Sequence, residues 1–168
     1  MMLESSSENN DQMIIHDSQG REYRLQVNED EDSSFIAKLL YRNSEVGRLH
    51  CVLSPPDKLM IGDILIRDDV IHAPDHLGAA LLRLLVEPKP IDYRRRGLGT
   101  HLLQFAIKKA RQRRIKRICG SLTQEDINNN PNLVKWYEKH GFEILPPSTE
   151  NIENAVCGIS LNLEDKLN

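Results

Sequence analysis

Cysteine, aromatic residues and long apolar runs are all scarce in this chain, and each scarcity closes off a class of protein. The three cysteines, Cys51, Cys119 and Cys157, stand too far apart for a Cys-x-x-Cys pair and lie within apolar stretches. An odd count without a pairing pattern speaks against a disulfide or metal framework and reads as buried thiols in a reducing compartment. The longest apolar stretch, Leu77 to Val86, is ten residues interrupted by Arg83; a membrane span needs about 20. No span is expected. Met1 to Asn10 is rich in Ser, Glu and Asn and lacks the basic and apolar regions of a signal peptide, so a cytoplasmic location is expected. Glycine (9) and proline (8) sit at ordinary levels while Leu, Ile and Val recur in clusters, which excludes a fibrous or wholly disordered chain.

What remains is a folded chain of 168 residues, 39% hydrophobic, a size that suits one core. Residues 1–12 read as a disordered tail and 13–168 as a single domain. Charge is segregated along it. Glu4 to Asp32 carries nine acids against Arg21 and Arg24, whereas Tyr93 to Arg117 carries ten bases and no acid. A basic segment attracts polyanions, either nucleic acid or a phosphorylated cofactor. Phe105 is the sole aromatic residue between Arg94 and Arg117 and the overall pI is near 6.1, so the stacking partners of a nucleic-acid site are missing and nucleic acid is not the expected partner. The acidic run Glu29 to Asp32 admits two readings, attraction of a cationic substrate or a solvated hairpin tip.

Short strands are expected at Met13 to Ile15, Tyr23 to Val27, Ser34 to Tyr41, Glu45 to Leu53 and Leu59 to Arg67, with turns at Gln19-Gly20 and Arg42-Asn43-Ser44. Asp75 could cap a helix from His76 to Val86, although Leu81 to Val86 also suits a buried strand. Leu98, Leu102, Leu103, Ala106, Ile107 and Ala110 fall at helical spacing, which predicts a helix over 98–113. A strand at Ile115 to Leu122, a helix from Asn130 to His140 ended by Gly141, and strands at Phe142 to Leu145 and Ala155 to Leu163 complete the pattern. The expected class is α/β (α+β): a mixed, mainly antiparallel sheet flanked by helices, with antiparallel N-terminal strands and a helical insertion at about 68–92.

Arg94-Arg95-Arg96-Gly97-Leu98-Gly99-Thr100 stands immediately before the strongest helix. A loop entering a helix presents unpaired N–H groups, and glycines let that backbone approach a phosphate closely. The run is no P-loop, and it lacks the third glycine of a dinucleotide fingerprint. Arg94-x-x-Gly97-x-Gly99, followed by a helix, a strand, Asn130 and then Trp136-Tyr137-Glu138-Lys139-His140-Gly141-Phe142, resembles the GNAT superfamily of acyl-CoA-dependent N-acetyltransferases. The resemblance is close from Arg94 to Phe142 and looser from Leu59 to Leu163. The first fifty residues match only as generic strands.

The resemblance implies a function and a site. Backbone amides of Arg95, Arg96, Gly97, Leu98, Gly99 and Thr100 would cradle the pyrophosphate of acetyl-CoA, with Arg94, Arg95 and Arg96 offsetting its charge. Asn130 would bond the pantetheine arm, and Tyr137 would stand near the thioester sulfur as the acid; a main-chain N–H near Leu65 or Ile66 would meet the acyl oxygen. The reaction implied is direct acetyl transfer to an amine of a small molecule or peptide. An amine of pKa about 10.4 must lose a proton before it attacks. Asp63 is the carboxylate on the strand beside the acyl group; a strand-edge role for Asp63, with water as the proton acceptor, is equally open. A non-catalytic CoA-binding sensor or partner-binding protein is the alternative reading. Two features depart from the family: only Asn28 to Ser33 separates the strands where two helices are usual, and about 25 residues from Asp68 to Asp92 precede the phosphate loop. Were Leu81 to Val86 the strand before that loop, the oxyanion donor would move to about Leu85 and Asp63 would lose its role. His72, Asp75 and His76 could line the acceptor site; no metal ligand set is evident. Exposed sheet edges make a homodimer plausible.

Overall fold

Alternation of apolar and polar residues through the first half of the chain builds a ladder of strands, each burying one face. In the computed structural model, which describes residues 13–30, 33–148 and 154–164, these strands are β1 (Met13–His16), β2 (Glu22–Asp30), β3 (Ser34–Tyr41), β4 (Ser44–Ser54) and β5 (Lys58–Ile66). The tail expected at 1–12 lies outside the described residues, as do Glu31 and Asp32 of the acidic run. After β5 come α1 (Leu77–Leu82), α2 (Leu98–Gln112), β6 (Arg117–Thr123), α3 (Gln124–Asn129), α4 (Leu133–Lys139), β7 (Glu143–Leu145) and β8 (Ala155–Asn162). No described helix is long and apolar enough to cross a membrane.

All eight strands form one sheet in the order β1-β2-β3-β4-β5-β6-β8-β7. The first five form an antiparallel meander, β5 and β6 run parallel, and β8 is antiparallel to both its neighbours. A parallel pair requires a crossover, and α2 supplies it. Its Leu98, Leu102, Leu103, Ala106 and Ala110 are buried with Leu39, Leu49, Cys51, Leu59, Ile61 and Ile118 of the sheet. The opposite sheet face carries the cross-strand rows Gln26-Lys38-Arg48-Leu65 and Asn28-Ile36-His50-Asp63. None of those eight residues is buried.

Several expectations need correction. The helix after Asp75 ends at Leu82 and is capped by His76, whose Nδ1 accepts from the Ala79 N–H at 3.1 Å. Asp75 instead pairs with Arg42 at 3.5 Å. Leu81 to Val86 belongs to no strand, so β5 is the strand that precedes the Arg94–Thr100 loop. The helix expected from Asn130 begins at Leu133, since Asn130-Pro131-Asn132 separates it from α3. α3 itself was not anticipated. It is capped by Thr123, whose hydroxyl accepts from the Asp126 N–H while the Asp126 carboxylate accepts from the Thr123 N–H at 2.7 Å, a reciprocal box that starts a short helix.

Candidate active site

Parallel pairing of β5 with β6 stops at Ile61 opposite Gly120. Beyond that point β5 pairs only with β4, and β6 only with β8. The two strands therefore open a notch in the sheet. A bulge sits at its root: pairing passes from Asp63 opposite His50 to Ile61 opposite Cys51, leaving Gly62 as the extra residue. A Cβ at Gly62 would lie 3.1 Å from His50 Nδ1, so glycine keeps Asp63 beside His50.

Polar backbone groups of successive residues alternate sides in an antiparallel ladder. The Arg67 N–H bonds the Val46 carbonyl at 2.9 Å and Leu65 lies opposite Arg48. Leu65 therefore directs its N–H and carbonyl toward β4, while Ile64 and Ile66 turn theirs to the open edge. Of the two main-chain donors expected, Ile66 faces the notch and Leu65 does not.

The phosphate loop stands at the mouth of this notch. A Cβ at Gly99 would lie 3.9 Å from Ile66 and 3.8 Å from Trp136. Gly97 caps α2 in the left-handed conformation at φ 81°, and a Cβ there would meet nothing within 4 Å. Arg95 also has positive φ, 59°, a conformation that costs a non-glycine residue about 1–2 kcal/mol. The consequence is that the backbone N–H groups of Arg95 and of Gly97 to Thr100 have no acceptor among the described residues. The first bond of the helix is from the His101 N–H to the Gly97 carbonyl at 3.2 Å. Free N–H donors at a helix start fit an anionic pyrophosphate.

The three arginines divide in role. Arg94 pairs with Asp68 at 3.0 Å and Asp92 at 2.9 Å. Arg96 stacks on Tyr93, donates to the Asp92 carbonyl at 2.9 Å and faces the buried Asp17 carboxylate at 3.9 Å. Its carbonyl also accepts from the Ser18 N–H at 3.1 Å, tying the loop to the β1–β2 turn. Arg95 alone of the three is exposed without a carboxylate partner among the described residues. Further along the basic segment, Lys109 and Arg113 both pair with Glu29 and Lys116 pairs with Glu164. One carboxylate thus offsets two cations at the end of α2, and Glu29 is held there rather than left free at a hairpin tip.

Tyr137 is 4% exposed, packed against Trp136 and Phe142. Its hydroxyl has no hydrogen-bond partner among the described residues. Burial, and then the negative charge of Asp126, Cys51 and Asp63, push its pKa far above the ordinary phenol value. It remains a proton donor throughout the neutral range. Asp63 is half exposed, and the partial desolvation of its carboxylate raises its pKa, with Asp126 adding to the rise and Arg48 and His50 opposing it. His50 and Asp126 are residues that sequence reasoning missed at this site. The spacing Thr123-x-x-Asp126 was the available signal for the second.

Asn130 closes α3, and its Oδ1 accepts from the Asn132 N–H at 3.3 Å; its side chain remains exposed. His72 is not at the notch. It is buried against Tyr93 Oη at 2.5 Å and Ser44 Oγ at 3.0 Å. His76 is a helix cap, so neither histidine lines the site with Asp63. No group of three or more potential metal ligands occurs among the described residues.

The family model for the acetyltransferase (GNAT) domain matches residues 57–144. A GNAT-family acetyltransferase from Staphylococcus aureus Mu50 is structurally similar at TM-score 0.54 and 14% identity, covering 78% of this chain and 69% of that one. A GNAT-family acetyltransferase from Elizabethkingia anophelis, solved with acetyl-CoA bound, gives TM-score 0.51 and 16% identity over 77% of this chain and 76% of its own. The ribosomal-protein-S18-alanine N-acetyltransferase of Escherichia coli gives 0.51 and 18% over 80% and 71%. No curated protein matches the chain.

Proposed function

The chain belongs to the GNAT acetyltransferase family, and from that premise we propose that it moves the acetyl group of acetyl-CoA directly to an amine of a small molecule or peptide. The observation that carries this reading is the set of free N–H groups at Arg95 and from Gly97 to Thr100, standing at the mouth of the notch between β5 and β6. These amides would hold the pyrophosphate, with Arg95 adding the one uncommitted guanidinium of the loop. The open edge at Ile64 and Ile66 would hold the pantetheine amides, and Asn130 would reach the same arm with its side-chain amide.

When bound, acetyl-CoA supplies its acetyl group as a thioester. The Ile66 N–H is a fixed donor for negative charge developing on the carbonyl oxygen. Asp63, with its pKa raised by partial burial, accepts the proton that the amine must lose. The hydroxyl of Tyr137 donates to the sulfur. Its raised pKa makes complete proton transfer to a thiolate of pKa about 8.5 uphill, so its contribution is a donated hydrogen bond first and a proton second. Water is kept from the inner end of the notch by Tyr137, Trp136 and Ile66.

Three unpaired cysteines, with burial pushing the Cys51 thiol up to about 12, accord with a reducing, cytoplasmic setting. Calorimetric titration with acetyl-CoA and CoA tests the reading, followed by an amine panel monitored by thiol release. Saturable binding and amine-dependent thiol release are expected. Absence of CoA binding overturns the reading, and binding with only amine-independent hydrolysis overturns its catalytic half.

A further inference from the structure

The insertion after β5 presents an aliphatic surface that the rest of the protein does not use. Leu77, Leu81, Leu82, Leu84, Leu85 and Val86 are 77%, 57%, 59%, 81%, 85% and 59% exposed, and α1 buries no residue. We propose that α1 and the turn after it form the contact surface of a homodimer, packing against the same surface of a second copy of this chain.

The surface is held in a fixed place. Val70 and Ile91 exchange backbone hydrogen bonds of 3.2 and 2.9 Å at the base of the insertion. His72 is buried between Ser44 and Tyr93, the Arg83 guanidinium donates to the His72 carbonyl, and Arg42 reaches Asp75. Most of the ordering cost of presenting these leucines is therefore met inside one subunit, which favours association.

Size and charge select a second copy over other occupants. Six large aliphatic side chains, mostly exposed, exceed the roughly 300–600 Å² of the largest apolar patch on a typical monomer. They approach the ~800 Å² per partner of a standard interface. Asp75 and Arg83 are engaged within the subunit, which leaves Glu87 and Lys89 as flanking charges, one of each sign. A two-fold contact lets each meet its opposite, whereas a membrane-surface helix would carry an excess of bases. The outer strands, β1 with four residues and β7 with three, are short templates for edge pairing. The insertion is the better dimer surface.

Sedimentation velocity of the full chain from low to high micromolar concentration tests this, comparing wild type with Leu84→Glu/Leu85→Glu. Wild type is expected to sediment as a dimer. The variant is expected to have a dissociation constant at least ~100-fold higher, from the loss of buried leucine area in both subunits, with an unchanged far-ultraviolet spectrum. The milder Leu84→Ala/Leu85→Ala is expected to be intermediate and covers the case in which the charged variant fails to fold. A wild type that stays monomeric throughout, a monomer that instead floats with anionic vesicles, or a dimer that both variants retain overturns the proposal.

Discussion

Trp136 of α4 donates its indole N–H to Thr100 Oγ1, 3.3 Å away in the first turn of α2. The same ring lies over Gly99, so the helix that carries Tyr137 is linked directly to the helix whose start forms the proposed phosphate cradle. Trp136→Phe keeps a ring in place and removes the donor. It is expected to cost about 1 kcal/mol of stability and to raise the KM for acetyl-CoA. Thr100→Val should do the same, and the double variant should show less than the sum, as chemical denaturation and steady-state kinetics will register.

Tyr137→Phe separates a chemical role from a packing role. The hydroxyl of this buried ring has no partner among the described residues and is not itself fully buried, so its removal is expected to leave stability nearly unchanged. In contrast, kcat should fall on the order of 100-fold. A large loss of thermal stability with little loss of kcat would assign the ring to the core alone.

The pKa of Asp63 is raised, first by partial burial and then by Asp126. Activity should therefore rise with pH along a limb displaced above the ordinary carboxylate value of about 3.9, and Asp63→Asn should abolish that limb. The sign for stability is opposite. The folded state holds the proton more tightly than the unfolded state, so stability falls slightly as pH rises between the two pKa values. The Asn variant should be flat in that window.

Asp17 behaves in the reverse sense. Burial alone would raise its pKa, but N–H donation from Arg21 and Gln19 and the Tyr23 hydroxyl at 2.8 Å outweigh it and hold the carboxyl below the usual range. Its contribution to stability is present above about pH 4 and is lost as pH falls through the lowered value. Asp17→Ala leaves Tyr23 and Arg96 facing an unfilled site and should cost about 3 kcal/mol, read from melting temperature against pH.

Arg95 and Arg96 are neighbours with different expected phenotypes. Arg95→Ala should raise the KM for acetyl-CoA severalfold and change stability by less than about 0.5 kcal/mol. Arg96→Ala removes the stack on Tyr93 and the bond to the Asp92 carbonyl, so it should lower stability by about 2 kcal/mol. Paired denaturation and kinetic measurements separate the two.

The sequence made α2, the meander and the glycine-bearing loop before α2 legible because each rests on local rules: helical spacing from Leu98, period-two strands, and glycines before a helix. The assignment of Asp63 to its strand also followed from periodicity. The rest depended on longer-range packing. Leu77 to Val86 has the composition of a buried element, yet nothing described in the chain covers it, and no local rule distinguishes a core helix from one awaiting a partner. Likewise Arg94, Arg95 and Arg96 are one residue type in a row. Their separation into a paired, a free and a buried side chain is set by Asp68, Asp92 and Asp17, which approach from elsewhere in the fold. His50 could not be seen as a neighbour of Asp63 without the register that the Gly62 bulge imposes.

The Tyr93 N–H returns to the Arg67 carbonyl at 2.9 Å, so the chain leaves β5 and re-enters the phosphate loop by the same doorway. What lies between can grow, shrink or change its surface without altering the distance between the strand and the loop that serve the reaction. With His72 and Arg83 kept as internal anchors, the exposed aliphatic residues between Leu77 and Val86 are expected to be exchangeable while the notch keeps its shape, so that the proposed chemistry and the proposed assembly would be encoded in separate stretches of the chain.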